Sequence, residues 1–452
     1  MSGRRLLAGV CWAGTVAVAA RGAAGSWNAA RSLAWLTASS AQPAGGGGSP
    51  HVVVILPMLR EQRLIAETLG YFAKLAESCP VAVSLAVVTS AREHAERDRY
   101  RSEARSTNEL AAALVAELRA AGIAAQHYDY PDPGGTMAHQ VNYAAHGEIQ
   151  RLAAAGVPQD QVWVALYNAD SRPHPDTIAA LAARVSGDEQ VRVVQQSAIF
   201  TANVPQLLAQ GRLVAAGAGL LQTRWTLARE IPRLRRQARQ ARRGSRWPHL
   251  AHCVGHGLFI RADEFTARGG LPVETMNEDL AFGYLACAAG TPIEALPLLE
   301  LAETPDSVPA LVRQGRQWFW SYPEYPAFAG LAGRQGLGTR RRRAALTVQG
   351  LARGGLWLGQ SPAVAAALAL PLLDRRRGAV AAVAALTLYA GIPLGLMAAH
   401  PATGTHVPRS VRALVGMLGA AVVSSAGPWW CCVSAADRAV RGTTYRHDKT
   451  ER

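Results

Sequence analysis

The sequence predicts an α/β unit that is attached to membrane helices near both ends of the chain. Short β-branched runs alternate with helical patterns over residues 51–196, which is typical of a doubly wound parallel sheet. Near the start, residues 6–25 are apolar and rich in small residues. After about Tyr325 the chain becomes markedly apolar, with runs close to the roughly 20 residues that a bilayer requires. These runs occupy residues 356–373, 378–399 and 411–433.

The first strand of the predicted sheet is the run His51-Val-Val-Val-Ile-Leu-Pro57, whose β-branched residues indicate a buried parallel strand. Further strands are predicted at residues 81–88, 162–167 and 191–196. Helices are predicted between them at residues 64–77, 107–121 and 175–185. Ligands of such sheets bind beyond the carboxyl ends of the strands, where the third strand is followed by Asn168-Ala169-Asp170.

The net charge of +15 is compatible with either a nucleic-acid partner or a membrane partner. Arginine clusters at residues 340–343 and 375–377 flank apolar runs, as positive-inside anchors do. A further basic segment, residues 233–246, holds almost no aromatic residue on which a base would stack. The placement of charge therefore favours a membrane surface and argues against nucleic acid.

Residues 223–246 carry Leu227, Ile231 and Leu234 at helical spacing among many arginines. A helix of this kind is able to lie on an anionic leaflet. The alternative is a solvated surface helix, because runs of charge are often only that.

The six cysteines form no CxxC pair and show no metal-ligand spacing. Cys79, Cys253 and Cys287 are interpreted as small hydrophobic residues, buried in a protein of a reducing compartment. We assign no chemistry to the neighbours Cys431 and Cys432, which close an apolar run.

The predicted organisation begins with an uncleaved membrane helix, because no clear small-residue cleavage site follows the first apolar stretch. A helical hairpin over residues 344–373, broken near Pro362, would reconcile the arginine clusters with a cytoplasmic sheet-bearing domain. The predicted segments are a membrane helix at residues 1–26, a glycine-rich linker at 27–50, the sheet-bearing domain at 51–325, a basic interfacial segment at 326–355, membrane helices at 356–433 and a polar tail at 434–452.

Asp170 stands at a strand end and is followed by a turn that contains Pro173 and Pro175. A carboxylate in this position is able to present an oxygen to Mg²⁺ or Mn²⁺. The alternative is an ordinary Asx turn that caps a helix.

Glu278 and Asp279 form a pair of acids at the start of a predicted helix, residues 280–289. Within such a pair, the neighbouring negative charge raises one pKa toward the working range of a general base. We predict that Asp279 is the base and that Glu278 supports it. The alternative is that both acids only stabilise the helix start.

The stretch Arg313-Gln314-Gly315-Arg316-Gln317-Trp318 places a glutamine and a tryptophan four residues apart on one helix face. An indole is able to stack on a sugar ring, and amide or guanidinium groups bind phosphate oxygens. The alternative is an interfacial helix whose aromatic residues, at positions 318–320, lie at the level of the lipid headgroups.

Five motifs follow one another in a fixed order. They are Pro57 with Glu61 soon after, the turn that ends at Asp170, the stretch from Gly255-His256-Gly257 through Arg261 to Gly269-Gly270, the turn that ends at Asp279, and the QxxxW element. Together, over about residues 52–322, they resemble an inverting family 2 glycosyltransferase of the GT-A fold, of the membrane-integrated kind that includes cellulose and hyaluronan synthases.

The resemblance implies a nucleotide-sugar donor, a Mg²⁺ or Mn²⁺ ion bound through Asp170, and Asp279 as the base. It further implies that Gln314, Gln317 and Trp318 line the donor and acceptor site. The acceptor would be a lipid, a glycan or a small molecule, and the protein would be a multi-pass protein of the cell membrane. The alternatives are a processive polysaccharide synthase and a non-catalytic protein that binds nucleotide sugars.

The turn before residues 139–142 lies where the family often has donor-binding residues, so His139 and Asn142 are candidates for the diphosphate or the ribose. Helix capping and packing are the alternative roles for both. His256 lies between two glycines, where the backbone is able to approach a ligand closely, although a lone histidine is more often structural.

The sequence departs from the family pattern in three places. Thr89-Ser90 stands where an acid-rich strand end usually contacts the base, and Asn168 replaces the first acid of the DxD turn. In the QxxRW element, Gln317 stands where arginine is expected and Arg316 lies one position early.

Overall fold

The computed structural model describes residues 2–40, 50–95 and 105–441. The chain forms two compact units, each assembled from separate segments of sequence. The sheet unit consists of Ala41–Ser197 and Leu234–Glu300, and the helical unit consists of Met1–Ser40, Ala198–Arg233 and Leu301–Arg452.

Strands and helices alternate through the first half of the chain, and helices alone follow the last strand. The strands are β1 (His51–Pro57), β2 (Val83–Ser90), β3 (Ala125–Tyr130), β4 (Val162–Leu166), β5 (Val193–Ile199), β6 (Leu258–Arg261) and β7 (Ile293–Leu301). The helices are α1 (Ser2–Ser40), α2 (Ile65–Ser78), α3 (Arg92–Ala95), α4 (Thr107–Ala120), α5 (Met137–Ala154), α6 (Thr177–Val185), α7 (Val204–Ala209), α8 (Leu213–Trp225), α9 (Ile231–Arg242), α10 (Ala262–Ala267), α11 (Glu278–Ala289), α12 (Val308–Phe319), α13 (Tyr325–Arg334), α14 (Arg340–Leu358), α15 (Gln360–Leu373), α16 (Arg375–Leu386), α17 (Ile392–Ala399), α18 (Pro401–Gly404), α19 (Val411–Val423) and α20 (Ala426–Arg441). A 3₁₀ turn spans Gln159–Gln161, and π-helical turns span Thr226–Glu230 and Thr387–Gly391.

The seven strands form one sheet in the order β3-β2-β1-β4-β6-β5-β7. The α/β prediction is confirmed, and the strands and helices predicted over residues 51–196 are found to within three residues at either end. The predicted strands run parallel to one another, as expected, and the sheet also contains β6, which was not predicted and runs antiparallel to both β4 and β5. With only four residues directly after a glycine-flanked loop, β6 gives too short an apolar run to be recognised in the sequence.

The core of the sheet unit lies between the sheet and the helices that cover it. Val52, Val54 and Leu56 on one face of β1 are fully buried, and they belong to the same cluster as Leu69 and Phe72 of α2. Burial of such a side chain contributes about 1.5–3 kcal/mol. The core therefore holds the strand ends, and the loops that follow them, in fixed positions.

Two segments of the predicted organisation are corrected. Residues 27–40 belong to α1 rather than to a linker, since the helix continues to Ser40; the rest of the predicted linker, residues 41–49, falls outside the described residues. No hairpin turn forms near Pro362: α14 and α15 meet at Gly359, whose backbone is helical, and one candidate span runs from Arg340 to Leu373. Pro362 lies in the first turn of α15, where its missing N–H costs no helical hydrogen bond.

Four helices of the described chain are long and apolar enough to cross a membrane. They are Gly3–Ser39, Arg340–Leu373, Arg375–Ala399 and Val411–Asp437, and they correspond to the apolar segments predicted near the two ends of the chain. Within the helical unit α8 and α19 cross closely. A Cβ on Gly217 would lie 1.9 Å from the carbonyl carbon of Gly416, so glycine is required at that crossing.

The leaflet-lying helix predicted at residues 223–246 is not free to insert in a membrane surface. Leu227 and Ile231 are fully buried. Ser32 of α1 donates a hydrogen bond to the Leu227 carbonyl at 2.7 Å, and Asn28 donates to the Ala228 carbonyl at 3.2 Å. Other helices of the same unit therefore already cover the apolar residues of this segment.

Candidate active site

The candidate site lies at the edge of the sheet where β4 ends and β6 begins. Because these strands are antiparallel neighbours, the residues after Leu166 and those before Leu258 meet at the same edge. The Gly257 N–H donates to the Leu166 carbonyl at 2.8 Å, and the Gln196 N–H donates to the Gly257 carbonyl at 2.7 Å. The sheet topology thus brings together two motifs that are about ninety residues apart in sequence.

The turn that carries Asp170 is held by its own hydrogen bonds. The Asn168 N–H donates to the Ser171 hydroxyl at 3.1 Å, and the Ser171 N–H donates to the Asn168 carbonyl at 3.0 Å. The Thr68 hydroxyl of α2 donates to the Ala169 carbonyl. The cap position of α6 is Asp176 and not Asp170, so the helix-capping alternative for Asp170 does not describe this turn.

The loop before β6 is fixed by a buried glutamine. The Gln195 amide nitrogen donates to the carbonyls of His256 and Gly257, at 2.9 and 3.2 Å, and its oxygen accepts from the Val254 N–H at 2.9 Å. Gly257 has φ of +62°, and a Cβ there would lie 2.8 Å from Gln196. Glycine is therefore required at this position.

His256 is oriented by a buried acid. Its Nδ1 lies 2.9 Å from a carboxylate oxygen of Glu300, which is 1% exposed. A carboxylate behind a histidine fixes the orientation and the tautomer of the ring, which is the usual arrangement behind metal-binding histidines. The sequence alone did not separate this role from a structural one, because Glu300 is 44 residues away.

Asp279 lies beside the same loop, at the start of α11. Its Oδ1 accepts from the Leu280 N–H at 2.7 Å, and the Gly255 N–H also donates to the carboxylate. A Cβ on Gly255 would lie 3.4 Å from Oδ2 of Asp279, at ordinary van der Waals distance, so the loop passes directly beside the carboxylate. The predicted acid pair at a helix start is therefore present, and it faces the His256 loop.

The two acids of the pair differ in their electrostatic state. Burial raises the pKa of Glu278 to about 8, with a further rise from the adjacent Asp279 charge. Burial also raises the pKa of Asp279 to about 6, opposed by the N–H groups of Leu280 and Gly255 and by the His256 ring. At neutral pH the pair consequently shares one proton and carries one negative charge.

His139 and Asn142 both form hydrogen bonds that stabilise the fold. Nδ1 of His139 accepts from the Thr136 N–H at 3.2 Å in a capping box at the start of α5. The Asn142 amide donates to the Leu271 carbonyl at 2.9 Å and accepts from the Leu271 N–H at 2.8 Å. The predicted ligand-binding roles of both residues stay predictions, while capping and packing account for the contacts.

An acidic residue that the sequence reasoning did not single out lies beside the end of β2. Asp129 of β3 accepts from Thr89 at 3.2 Å and from Asn108 at 2.7 Å, and Thr89 also contacts His127 at 2.8 Å. A carboxylate on the neighbouring strand thus lies beside the Thr89 hydroxyl. The signal was missed because β3 reads Ala-Gln-His-Tyr-Asp-Tyr and lacks an apolar run.

The QxxxW residues belong to the helical unit. Gln314, Arg316, Gln317 and Trp318 lie on α12, and the guanidinium of Arg316 lies 4.3 Å from the ring centroid of Trp430. Trp318 is 37% exposed, so its indole remains accessible. The predicted helix is confirmed, and the roles of the four side chains in binding stay predictions.

A metal ion at this edge would depend on ligands beyond the protein. Within residues 2–40, 50–95 and 105–441, no group of three or more His, Cys, Asp or Glu is placed to hold one. Asp170 and His256 supply one carboxylate and one oriented imidazole at the same edge of the sheet. Mg²⁺ and Mn²⁺ are commonly held by one or two protein ligands together with substrate phosphates, and these two side chains fit that pattern.

No protein-family model matches the sequence, and no curated protein matches it. Among solved structures, the chain is similar to a mannosyltransferase from Pyrobaculum calidifontis in complex with GDP-Man and Mn²⁺, at 16% identity and a TM-score of 0.44, covering 92% of this chain and 98% of that one. It is also similar to glucosyl-3-phosphoglycerate synthase from Mycobacterium tuberculosis in complex with Mn²⁺, UDP-Glc and phosphoglyceric acid, at 16% identity and a TM-score of 0.31, covering 68% and 85%. These structural neighbours are glycosyltransferases that bind nucleotide sugars. A TM-score below 0.5 assigns no activity to this chain, so its function has to be inferred from its own residues.

Proposed function

We propose that this chain is a membrane-bound glycosyltransferase of the family 2 type. It transfers a sugar from a nucleotide-diphosphate donor to a lipid-linked, glycan or small-molecule acceptor, with inversion at the anomeric carbon. One arrangement carries this proposal. An ionised Asp279, next to a protonated Glu278, lies at the sheet edge that also holds the Asp170 turn and the His256 loop.

Asp279 is the general base in this proposal. At neutral pH its carboxylate is ionised and its raised pKa makes it a better proton acceptor than an ordinary aspartate. It removes the proton of the acceptor hydroxyl as the oxygen attacks the anomeric carbon and the nucleoside diphosphate leaves from the opposite face. Glu278 remains protonated and uncharged, so the Asp279 carboxylate is not paired with a second negative charge.

The leaving diphosphate requires positive charge. Asp170 and His256 would hold a Mg²⁺ or Mn²⁺ ion together with the donor phosphates, and Glu300 keeps the His256 ring in position. When bound, such an ion neutralises the charge that develops on the leaving group. Asn168 contributes an amide in place of a second acid, so the ion depends more on the donor oxygens.

Further residues are proposed to contact the donor and the acceptor. Asp129 and Thr89 would receive the base or ribose of the donor, with His139 and Asn142 as further candidates near the diphosphate. For Gln314, Arg316, Gln317 and the accessible Trp318, the sequence motif alone supports a role in binding the donor or the acceptor. Four candidate spans support a multi-pass protein of the cell membrane, for which we propose a cytoplasmic sheet unit.

A donor screen tests the proposal. Detergent-purified full-length protein is incubated with UDP-, GDP- and dTDP-sugars in the presence of Mn²⁺, and release of the nucleoside diphosphate is measured with and without EDTA. Turnover of at least one donor that EDTA abolishes is the expected result. Donor binding without any turnover would support a non-catalytic nucleotide-sugar-binding protein, and release of a long polymer would support a processive synthase. If no donor binds or reacts, the proposal is wrong.

A further inference from the structure

Arg224, Arg229 and Arg233 lie on one continuous helical stretch of the helical unit, formed by α8, the π-turn at Thr226–Glu230 and the start of α9. Arg224 is 7% exposed, and the other two are half-buried. In a π-turn the main-chain hydrogen bonds join residues five apart, which brings Arg224 and Arg229 toward one face. Arg233 follows four residues later on the same face.

The guanidinium of Arg224 is buried within the helical unit. It stacks over the ring of Tyr389, with Cζ 4.2 Å from the ring centroid. Within the described chain, Nε and Nη2 of Arg224 and the hydroxyl of Tyr389 have no hydrogen-bond partner. Tyr389 belongs to the other π-turn, Thr387–Gly391, and Arg224 lies two residues before the first one. Such turns are frequent at functional sites.

The surroundings of this arginine row are positively charged. Burial lowers the pKa of Arg224 and of Arg229, and the charge of Arg21 on α1 lowers both further. Burial lowers the pKa of Arg233 as well, with Arg353 of α14 adding to the effect. The strongest charge effects on the three arginines come from other arginines and from tyrosines.

Charges withdrawn from water in this way are stabilised only by a counter-charge with hydrogen-bond acceptors. A phosphate group supplies several acceptor oxygens, and guanidinium groups bind it in a planar, two-pronged manner. Arg21 and Arg353 lie in helices that are long and apolar enough to cross a membrane, so a ligand would approach this row from a bilayer. An intramembrane or juxtamembrane arginine of this kind is typical of a binding site.

We propose that Arg224, Arg229 and Arg233, with the Tyr389 hydroxyl as a further donor, form a binding site for the phosphate group of a lipid. The site lies entirely within the helical unit. It involves none of the residues proposed for sugar transfer, so it stands or fails independently of the proposed activity.

Quenching of tryptophan fluorescence by a brominated lipid tests this proposal, because Trp225 adjoins Arg224. Full-length protein in detergent is titrated with phosphatidic acid that carries brominated acyl chains, and with a brominated diacylglycerol that lacks the phosphate. The expected dissociation constant for phosphatidic acid is at least about tenfold lower than that for the diacylglycerol. Inorganic phosphate at the same concentration should not displace the lipid.

The triple variant Arg224→Gln, Arg229→Gln and Arg233→Gln is expected to raise the dissociation constant for phosphatidic acid at least about tenfold. The matched control is Arg236→Gln, an exposed arginine of α9, which should leave it unchanged. If the triple variant does not fold, Arg224→Gln alone gives the same comparison, with at least a threefold rise expected. Unchanged lipid binding in a folded variant, equal affinity for the diacylglycerol, or full displacement by inorganic phosphate would overturn the proposal.

Discussion

The sheet unit and the helical unit treat buried charge in opposite ways. In the sheet unit, the largely buried Arg268 contacts Glu264 at 2.7 Å, and the exposed Arg242 contacts Asp188 at 2.9 Å and Glu294 at 2.6 Å. Each of these cations therefore has an acid at hydrogen-bond distance. Such pairs hold helices and strands in register and leave little charge available for a ligand.

In the helical unit, the buried Arg224 faces a tyrosine ring and other arginines. The sheet unit also contains buried charge without an ion-pair partner, but this charge is negative. Glu278 and Asp279 lie side by side, and burial raises both of their pKa values. Charge that the fold does not pair is costly, and it is typical of sites where a ligand or a reaction supplies the missing partner. The two units thus differ in the sign of the charge that they leave unpaired.

Apart from loss of the base itself, the largest expected effect concerns Asp170, the proposed metal ligand. Asp170→Asn should lower the rate of sugar transfer by about 100-fold or more, because metal-ion stabilisation of a leaving group is worth several kcal/mol. Activation by added Mn²⁺ should be lost as well. Steady-state kinetics over a range of Mn²⁺ concentrations measures both quantities.

The control for this variant is Asp176→Asn, an exposed residue at the cap position of α6 in the same loop. It should retain the transfer rate and the response to Mn²⁺. Equal losses in both variants would indicate a general disturbance of the loop and would contradict the metal-binding role of Asp170.

The next prediction compares the stability effects of removing Arg268, which has an acidic partner, and Arg224, which stacks on a tyrosine ring. Arg268→Gln should destabilise the sheet unit by about 3 kcal/mol, because it leaves the buried Glu264 carboxylate without its principal partner. Arg224→Gln should leave the stability of the apo protein unchanged or raise it, because it removes a buried charge that has no acid beside it. Thermal unfolding of both variants in detergent makes the comparison. A large destabilisation by Arg224→Gln would show that its charge is structurally paired.

A smaller effect on stability is expected where the uncharged amide of Asn142 packs against Gly270 and holds the backbone of Leu271. Gly270 has φ of +83°, and a Cβ there would lie 2.5 Å from the amide oxygen of Asn142. Gly270→Ala should therefore cost about 2 kcal/mol or more, from the strained backbone and the broken amide contacts together. Gly269→Ala has a similar φ of +75° with nothing within 4 Å, so it should cost only about 1 kcal/mol of backbone strain. Equal melting temperatures of the two variants would show that the contacts of Asn142 with the Gly270–Leu271 backbone do not stabilise the fold.

The smallest effect is the pH dependence that the acid pair imposes. Since the base acts only when ionised and its pKa is raised, kcat/KM should fall about tenfold per pH unit below about pH 6. Glu278→Gln should leave this acidic limb in place, because the Glu278 carboxyl is protonated and uncharged where Asp279 titrates. If kcat/KM of the wild-type protein fell only below about pH 4, an ordinary carboxylate, and not Asp279, would be the base.

Much of the α/β architecture was predictable because its strands are apolar runs with clear boundaries. The run at residues 51–57 is a strand over those same residues, and the helix at residues 107–121 is found at Thr107–Ala120. By contrast, β3, β6 and β7 were not predicted; β3 is polar and β6 has only four residues. The antiparallel insertion of β6 between β4 and β5 is set by tertiary pairing that no local pattern encodes.

The site was predictable only where one short segment carries the chemistry. Asp279 follows its partner acid directly, so the pair is visible in the sequence. The Glu300 carboxylate behind His256 and the Asp129 carboxylate beside Thr89 come from other strands, and only the sheet brings each pair together. The arginine row was recognised as basic, but its lack of acids depends on the packing of α1 and α14 around it.

The central claim is that Asp279 removes the acceptor proton, and Asp279→Asn tests it most directly. Donor binding and sugar transfer are measured on the same purified preparation, with Glu274→Gln, an exposed acid ahead of α11, as the control. We predict that Asp279→Asn binds the donor within a few-fold of the wild-type affinity and transfers sugar about 10²–10⁴-fold more slowly. An unchanged transfer rate in the folded variant would contradict the account.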